Sequence, residues 1–160
     1  MNVYNVKIKK LVAGNTDMSF RHDILQKLTD DCIEIIQNPF GNYIIQYTLD
    51  LWGADTCSNI LQVIEQNLVT LSMQKYSSNV VEKCFDLISS VKRVRWINEL
   101  FHLNKIMCLI KNKYGNYVLQ KAVQMMSFSE KSERKLYLTD HLVDFHRKDK
   151  MRLRDFIDVI

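Results

Sequence analysis

Nine side chains in this sequence have the types and the spacing to recognise something flat and polar. They are Asn42, Tyr43 and Gln46, then Ser78, Asn79 and Glu82, then Asn116, Tyr117 and Gln120. Each set has the spacing i, i+1, i+4 inside one apolar frame: Phe-Gly-Asn-Tyr-Ile-Ile-Gln at 40–46, Tyr-Ser-Ser-Asn-Val-Val-Glu at 76–82 and Tyr-Gly-Asn-Tyr-Val-Leu-Gln at 114–120. Asn and Gln carry a donor and an acceptor together, which suits the mixed N3–H and O2/O4 edge of uracil. An ionised Glu only accepts and prefers an edge with two donors, such as guanine N1–H and N2–H₂. Tyr43 and Tyr117 offer flat faces on which bases can stack, worth roughly 1–3 kcal/mol per base; the other reading of these tyrosines is packing. This is the chemistry of reading rather than of bond-making.

The elements that must carry these residues follow from periodicity. Asn42, Ser78 and Asn116 lie 36 and then 38 residues apart, a period typical of stacked helical units. Polar residues at i, i+4 in one frame amount to no more than a solvated face; three frames in register argue for a surface. On a helix Asn42 and Gln46 share a face that Tyr43 borders, while Ile44, Ile45, Thr48 and Leu49 point to the opposite arc. The same division separates Ser78, Asn79 and Glu82 from Val80, Val81 and Phe85, and Asn116, Tyr117 and Gln120 from Val118, Leu119 and Val123.

Apolar residues from Asp23 to Gln37 recur at three- and four-residue steps and predict one helix, stopped by Asn38-Pro39. A second runs from about Gly41 to Leu51, with Gly53 as its stop. The pattern repeats as Ser58–Leu71 with Ser77–Ile88, then as Lys92–Phe101 and Ile106–Ile110 with Gly115–Met126. Helical segments Arg134–Phe145 and Met151–Ile160 follow. No strand-type alternation competes, so the fold class is all-α, an α-solenoid. Its expected units are a partial divergent repeat at 1–19, repeats at 20–55, 56–91 and 92–130, and capping helices at 131–160. Asn5 to Lys9 has the phase of an earlier frame without its residues. Arg154, where a fourth frame would fall, is followed by Asp155 and Asp158, as a divergent end unit requires.

Composition bounds the classes. The chain of 160 residues is 47% hydrophobic and 25% charged, with one Pro and four Gly, so a folded, helix-rich domain is expected. A net charge of +4 is compatible with a nucleic-acid partner without establishing one. Cys32, Cys57, Cys84 and Cys108 form no Cys-x-x-Cys pair, and the start carries no secretory pattern, so a reducing, cytoplasmic or nuclear setting with free thiols is expected. No segment is long and apolar enough for a membrane span. His22, His102, His141 and His146 lack partners at metal spacing, and there is no phosphate loop or nucleophile elbow. Neither an enzyme nor a metal or other cofactor is expected.

The ordered series of frames, with Ser-Ser-Asn-Val-Val-Glu-Lys-Cys at 77–84 the most distinctive, closely resembles the last three repeats of the Pumilio homology (PUF) family, over about residues 20–124. That family reads one base per repeat. The resemblance implies a right-handed superhelix and a strand running antiparallel to the repeats. Asn116, Gln120 and Tyr117 then take a first U, Ser78, Glu82 and Asn79 the G, and Asn42, Gln46 and Tyr43 the next U. It further implies single-stranded RNA containing 5′-UGU-3′ in 3′ untranslated regions, post-transcriptional repression in the cytoplasm (a nuclear or nucleolar site being the alternative), and repressor or deadenylation-complex proteins on the convex face. The family usually has eight repeats, so the chain is expected to be either a piece of a longer array or a shortened relative. The competing functions are a helical scaffold for proteins and a nucleolar PUF-like binder with little base preference. Lys83 and Lys121, each following a fifth-place residue, either approach phosphates or are solvated. The basic run 147–154 either attracts the backbone or is a solvated terminal helix.

Overall fold

The computed structural model describes residues 13–14 and 18–160; the segment Asn5–Lys9, expected as a degraded frame, lies outside the described residues. Among the described residues there are helices and no strand. In chain order they are α1 (Met18–Asp30), α2 (Cys32–Gln37), α3 (Asn42–Thr56), α4 (Ser58–Gln66), α5 (Leu68–Ser72), α6 (Ser77–Leu87), α7 (Ser90–Leu100), α8 (Leu103–Lys111), α9 (Lys113–Gln124), α10 (Phe128–Asp140) and α11 (Arg147–Asp158). A 3₁₀ turn, Leu142–Asp144, joins the last two.

Each repeat is built of three helices, as expected for the third but not for the first two, where two were expected. The single helix predicted over Asp23–Gln37 is broken at Asp31 (φ −99°, ψ 13°), and the one over Ser58–Leu71 is broken at Asn67 (φ −118°, ψ 17°). Asp and Asn favour such corners because their short polar side chains compete for local backbone groups. Asn67 does so directly, donating from Nδ2 to the Val63 carbonyl at 2.9 Å. The hydrophobic rhythm crosses both corners unchanged, which is why periodicity alone reads them as continuous. At the far end the chain enters its helix earlier than expected, at Phe128. There Ser127 and Glu130 form a capping box, with Ser127 N–H donating to Glu130 Oε2 at 2.7 Å and Glu130 N–H to Ser127 Oγ at 3.3 Å. Donation from the Ser127 backbone and side chain to the carboxylate holds the Glu130 carboxyl below its usual range.

The frame helices begin tightly. Asn38 takes the extended conformation that the following Pro imposes, and its Oδ1 accepts from the N–H of Phe40 (2.8 Å) and Gly41 (3.0 Å). Asn112 does the same for Tyr114 and Gly115, both at 2.9 Å. Gly41 and Gly115 lie against the preceding short helix: a Cβ on Gly41 would meet the Ile35 carbonyl oxygen at 2.4 Å, and one on Gly115 the Leu109 carbonyl oxygen at 2.9 Å. In the middle repeat Ser77 fills the same place, and its hydroxyl donates to the corresponding Leu71 carbonyl at 2.7 Å. Gly53, with φ +76°, interrupts α3 after Trp52, as its role of stop requires.

The helices α3, α6 and α9 pack side by side, each against the next, while α2, α5 and α8 sit beneath them. One apolar core runs through all the units, from Leu28 to Ile157. Phe85 meets Trp96 edge-on at 5.7 Å between ring centres, linking α6 to α7. Beyond α9, Leu153, Phe156 and Ile157 of α11 are buried, Phe156 lies 5.9 Å from the Phe101 ring, and Lys111 pairs with Asp149 at 2.7 Å. The basic run is thereby divided, one edge of α11 facing the core and the rest water. All four cysteines are free. Burial pushes the Cys32 thiol up to about 12 and that of Cys57 to about 11, and raises Cys84 further. These are small core residues, while Cys108 is exposed.

Candidate nucleic-acid interface

The nine reading residues fall at matching places on α3, α6 and α9, so adjacency of the three helices sets the three triplets in a row. Depth separates the roles. The second-place residues stand out: Tyr43 is 52% exposed, Tyr117 50%, and Asn79 is exposed. Half of each tyrosine in water argues against the packing alternative, since a packing tyrosine buries its ring. The fifth-place residues Gln46 and Glu82 are half-buried and Gln120 is exposed.

The first-place residues correct the expectation of a shared open face. Asn42 is 1% exposed and Ser78 2%; only Asn116 is reachable, and it is half-buried. Position on the first turn explains this, because a side chain there folds back over the loop before the helix. Asn42 Nδ2 donates to the carbonyls of Asn38 (2.9 Å) and Pro39 (3.1 Å), and its Oδ1 accepts from Gln46 Nε2 at 3.1 Å. Asn42 therefore anchors Gln46 from below, and the pair meets an approaching edge with Gln46 outermost.

Lys83 and Lys121 are held in ion pairs that neither of their two readings named. Lys83 Nζ lies 2.6 Å from Asp50 Oδ1, and Lys121 Nζ lies 2.6 Å from Asp86 Oδ1. Each lysine sits one place after a fifth-place residue, and each aspartate eight places after a first-place residue of the preceding repeat. The pairs form a ladder across both junctions between frames. Single partly exposed pairs stabilise little, but as a repeated device they fix how one helix slides along the next. Asn38 and Asn112, four places before Asn42 and Asn116, were also missed as supports of the frames; the signal was their recurrence at one offset.

Glu82 occupies the middle of the surface. Burial raises its carboxyl above the usual range, and the positive charge of Lys121 opposes that rise. Beyond the third frame a groove of about 490 Å³ continues from Asn116 and Gln120 to Arg152 and Asp155 of α11, bringing a cation and an anion to the end of the row. Among the described residues no cluster of three or more His, Cys, Asp or Glu could hold a metal, and no helix is long and apolar enough to cross a membrane.

Three stretches, residues 31–65, 67–101 and 105–132, match the Pumilio-family RNA binding repeat. The chain belongs to the Pumilio (PUF) repeat family. Pumilio homolog 12 of Arabidopsis thaliana is 36% identical over 111 residues, 69% of this PUF chain and 19% of the relative. Pumilio domain-containing protein 5 of Caenorhabditis elegans is 26% identical over 147 residues, covering 82% and 26%. The matched part thus spans about a fifth to a quarter of these curated PUF relatives. Among solved structures, PUF-8 in complex with PBE-RNA superposes with a TM-score of 0.74 at 20% identity, over 94% of this chain and 46% of that one. The Puf3 RNA binding domain bound to Cox17 RNA 3′ UTR recognition sequence site A gives 0.69 at 25% identity, over 98% and 50%. The α-solenoid is the PUF fold.

Proposed function

We propose that this chain binds single-stranded RNA and reads a 5′-UGU-3′ core, with α9 on the first U, α6 on the G and α3 on the second U. The observation that carries the reading is the middle triplet. Glu82, an acceptor without donors when ionised, stands half-buried between two amide-bearing frames on the flanking helices. A surface indifferent to bases gains nothing from a buried carboxylate at that one place. Tyr43, Asn79 and Tyr117 form the stacking rank beside the edge-reading residues. The solved relatives support an RNA partner: the PUF-8 structure holds PBE-RNA and the Puf3 structure a 3′ UTR recognition sequence. The family resemblance extends the proposal to the 3′ untranslated region of cytoplasmic messages as the site of action, repression as the outcome, and repression machinery on the face opposite the readers.

The test is an exchange of the middle frame. Changing Ser78→Asn together with Glu82→Gln gives the middle repeat the edge of its neighbours, so preference moves from UGU to UUU. A bidentate base contact discriminates by roughly 1–3 kcal/mol, so the ratio of the two affinities should invert by tenfold or more. Wild-type protein binding both strands equally in a gel shift would refute the reading. Capture of protein partners that survives nuclease, with no RNA affinity at low salt, would return the scaffold alternative.

A further inference from the structure

The ladder pair at the second junction has a neighbour that the first junction lacks. Glu82 and Asp86 lie one helical turn apart on α6, and the Lys121 ammonium reaches across from α9 to that edge, bonded to Asp86 at 2.6 Å and close enough to act on the Glu82 charge. At the first junction the equivalent fifth-place residue is Gln46, which is uncharged, so Lys83 there pairs with Asp50 and acts on no fifth-place carboxylate, Asp86 of its own helix being the other acid it feels. Of the other cations near α6, Lys92 of α7 pairs with Glu65 at 3.5 Å, and the cation that acts on the Glu82 charge is Lys121. From α3, Asp50 is taken up by Lys83, and Gln46 is neutral; α5 has no charged residue; α2 contributes Glu34, which is exposed, and the neutral thiol of Cys32. Lys113 is exposed at the start of α9.

We infer that Lys121, a residue of the uracil-reading third frame, is a positioning residue for guanine selectivity in the frame next to it, holding Glu82 as a pure acceptor. This rests on the proposed reading of guanine by Glu82. Stacking a base over the row removes water from a carboxylate that is already half-buried. Each step of desolvation favours the protonated form, which carries a donor and clashes with guanine N1–H. A fixed cation beside the carboxylate offsets that tendency.

Binding of the full chain to a labelled U₄GU₄ strand and to U₉, measured by fluorescence anisotropy between pH 5.5 and 8, separates the roles. In wild type the preference for U₄GU₄ declines as pH falls and Glu82 takes up a proton. In Lys121→Met that decline begins at higher pH, and at the acid end of the range the ratio of the two affinities drops about threefold or more below wild type. Lys121→Arg keeps the wild-type profile. Asp86→Asn, which breaks the same ion pair but leaves the ammonium beside Glu82, does not move the decline upward. Equal loss on both strands in Lys121→Met would make Lys121 a phosphate contact or a structural clamp and overturn the inference. So would an unshifted pH profile, or an Asp86→Asn profile identical to that of Lys121→Met. A wild-type protein with no preference for U₄GU₄ would instead overturn the guanine reading itself.

Discussion

Glu82 is held in an environment that suits its partner better than itself. Burial lifts its carboxyl above the ordinary range, so the folded state disfavours the ionised form relative to the unfolded chain. The sign follows: the protonated side chain costs nothing at pH below the unfolded value, and stability is lost as pH rises through the folded one. At neutral pH Glu82 is therefore a mild liability to the fold. Glu82→Gln should raise the melting temperature slightly at pH 7.5, an advantage that disappears at pH 4, while weakening binding to UGU. A lower melting temperature at pH 7.5 would mean that the carboxylate is a structural partner. Such opposition between stability and recognition is common at functional sites. At this scale the identities of the nine residues were legible because one spacing occurs three times. The depth of Asn42 and Ser78 was not, since a helical wheel gives direction but not height above the neighbouring loop. The partners of Lys83 and Lys121 were hidden because Asp50 and Asp86 belong to the preceding repeat.

The frame helices are fixed by how closely their first turns approach the short helices before them. Gly41 faces the Ile35 carbonyl oxygen at a distance no Cβ can share, so Gly41→Ala must push α3 off α2. The expected cost is about 1–3 kcal/mol of unfolding free energy, measured by urea denaturation. A neutral result would show that the first turn yields without strain. Ser77 indicates what accommodation looks like: the middle repeat accepts a Cβ and gains a bond to the Leu71 carbonyl in exchange. Helix content was legible from three- and four-residue rhythm, and Gly53 and Pro39 marked two real stops. The corners at Asp31 and Asn67 were not, because a one-residue bend preserves which side chains face inward.

Taken whole, the array is one cooperative object. Its buried residues form a single cluster reaching from α1 to α11, with Phe85 at the middle, fully buried and edge-on to Trp96. Phe85→Ala should cost about 3–5 kcal/mol and still melt in one transition by both calorimetry and circular dichroism. Two separate transitions would mean that the repeats on either side of α6 unfold independently, as weakly coupled solenoid units do. The departure of α10–α11 from the frame pattern was legible in the sequence. The groove that α11 shares with Asn116 and Gln120 was not, because Arg152 and Asp155 fall outside the frame register.

The ladder of lysines and aspartates lies at offsets distinct from the reading positions, so a triplet can change its letter while the seam between helices stays intact. That freedom allows preference to drift through a lineage with little structural penalty. The second rung is the exception, because there the seam also leans on a letter. Substitution of one lysine in the third repeat would alter how the second repeat is pronounced, and spelling in this array depends on context as well as on each character alone.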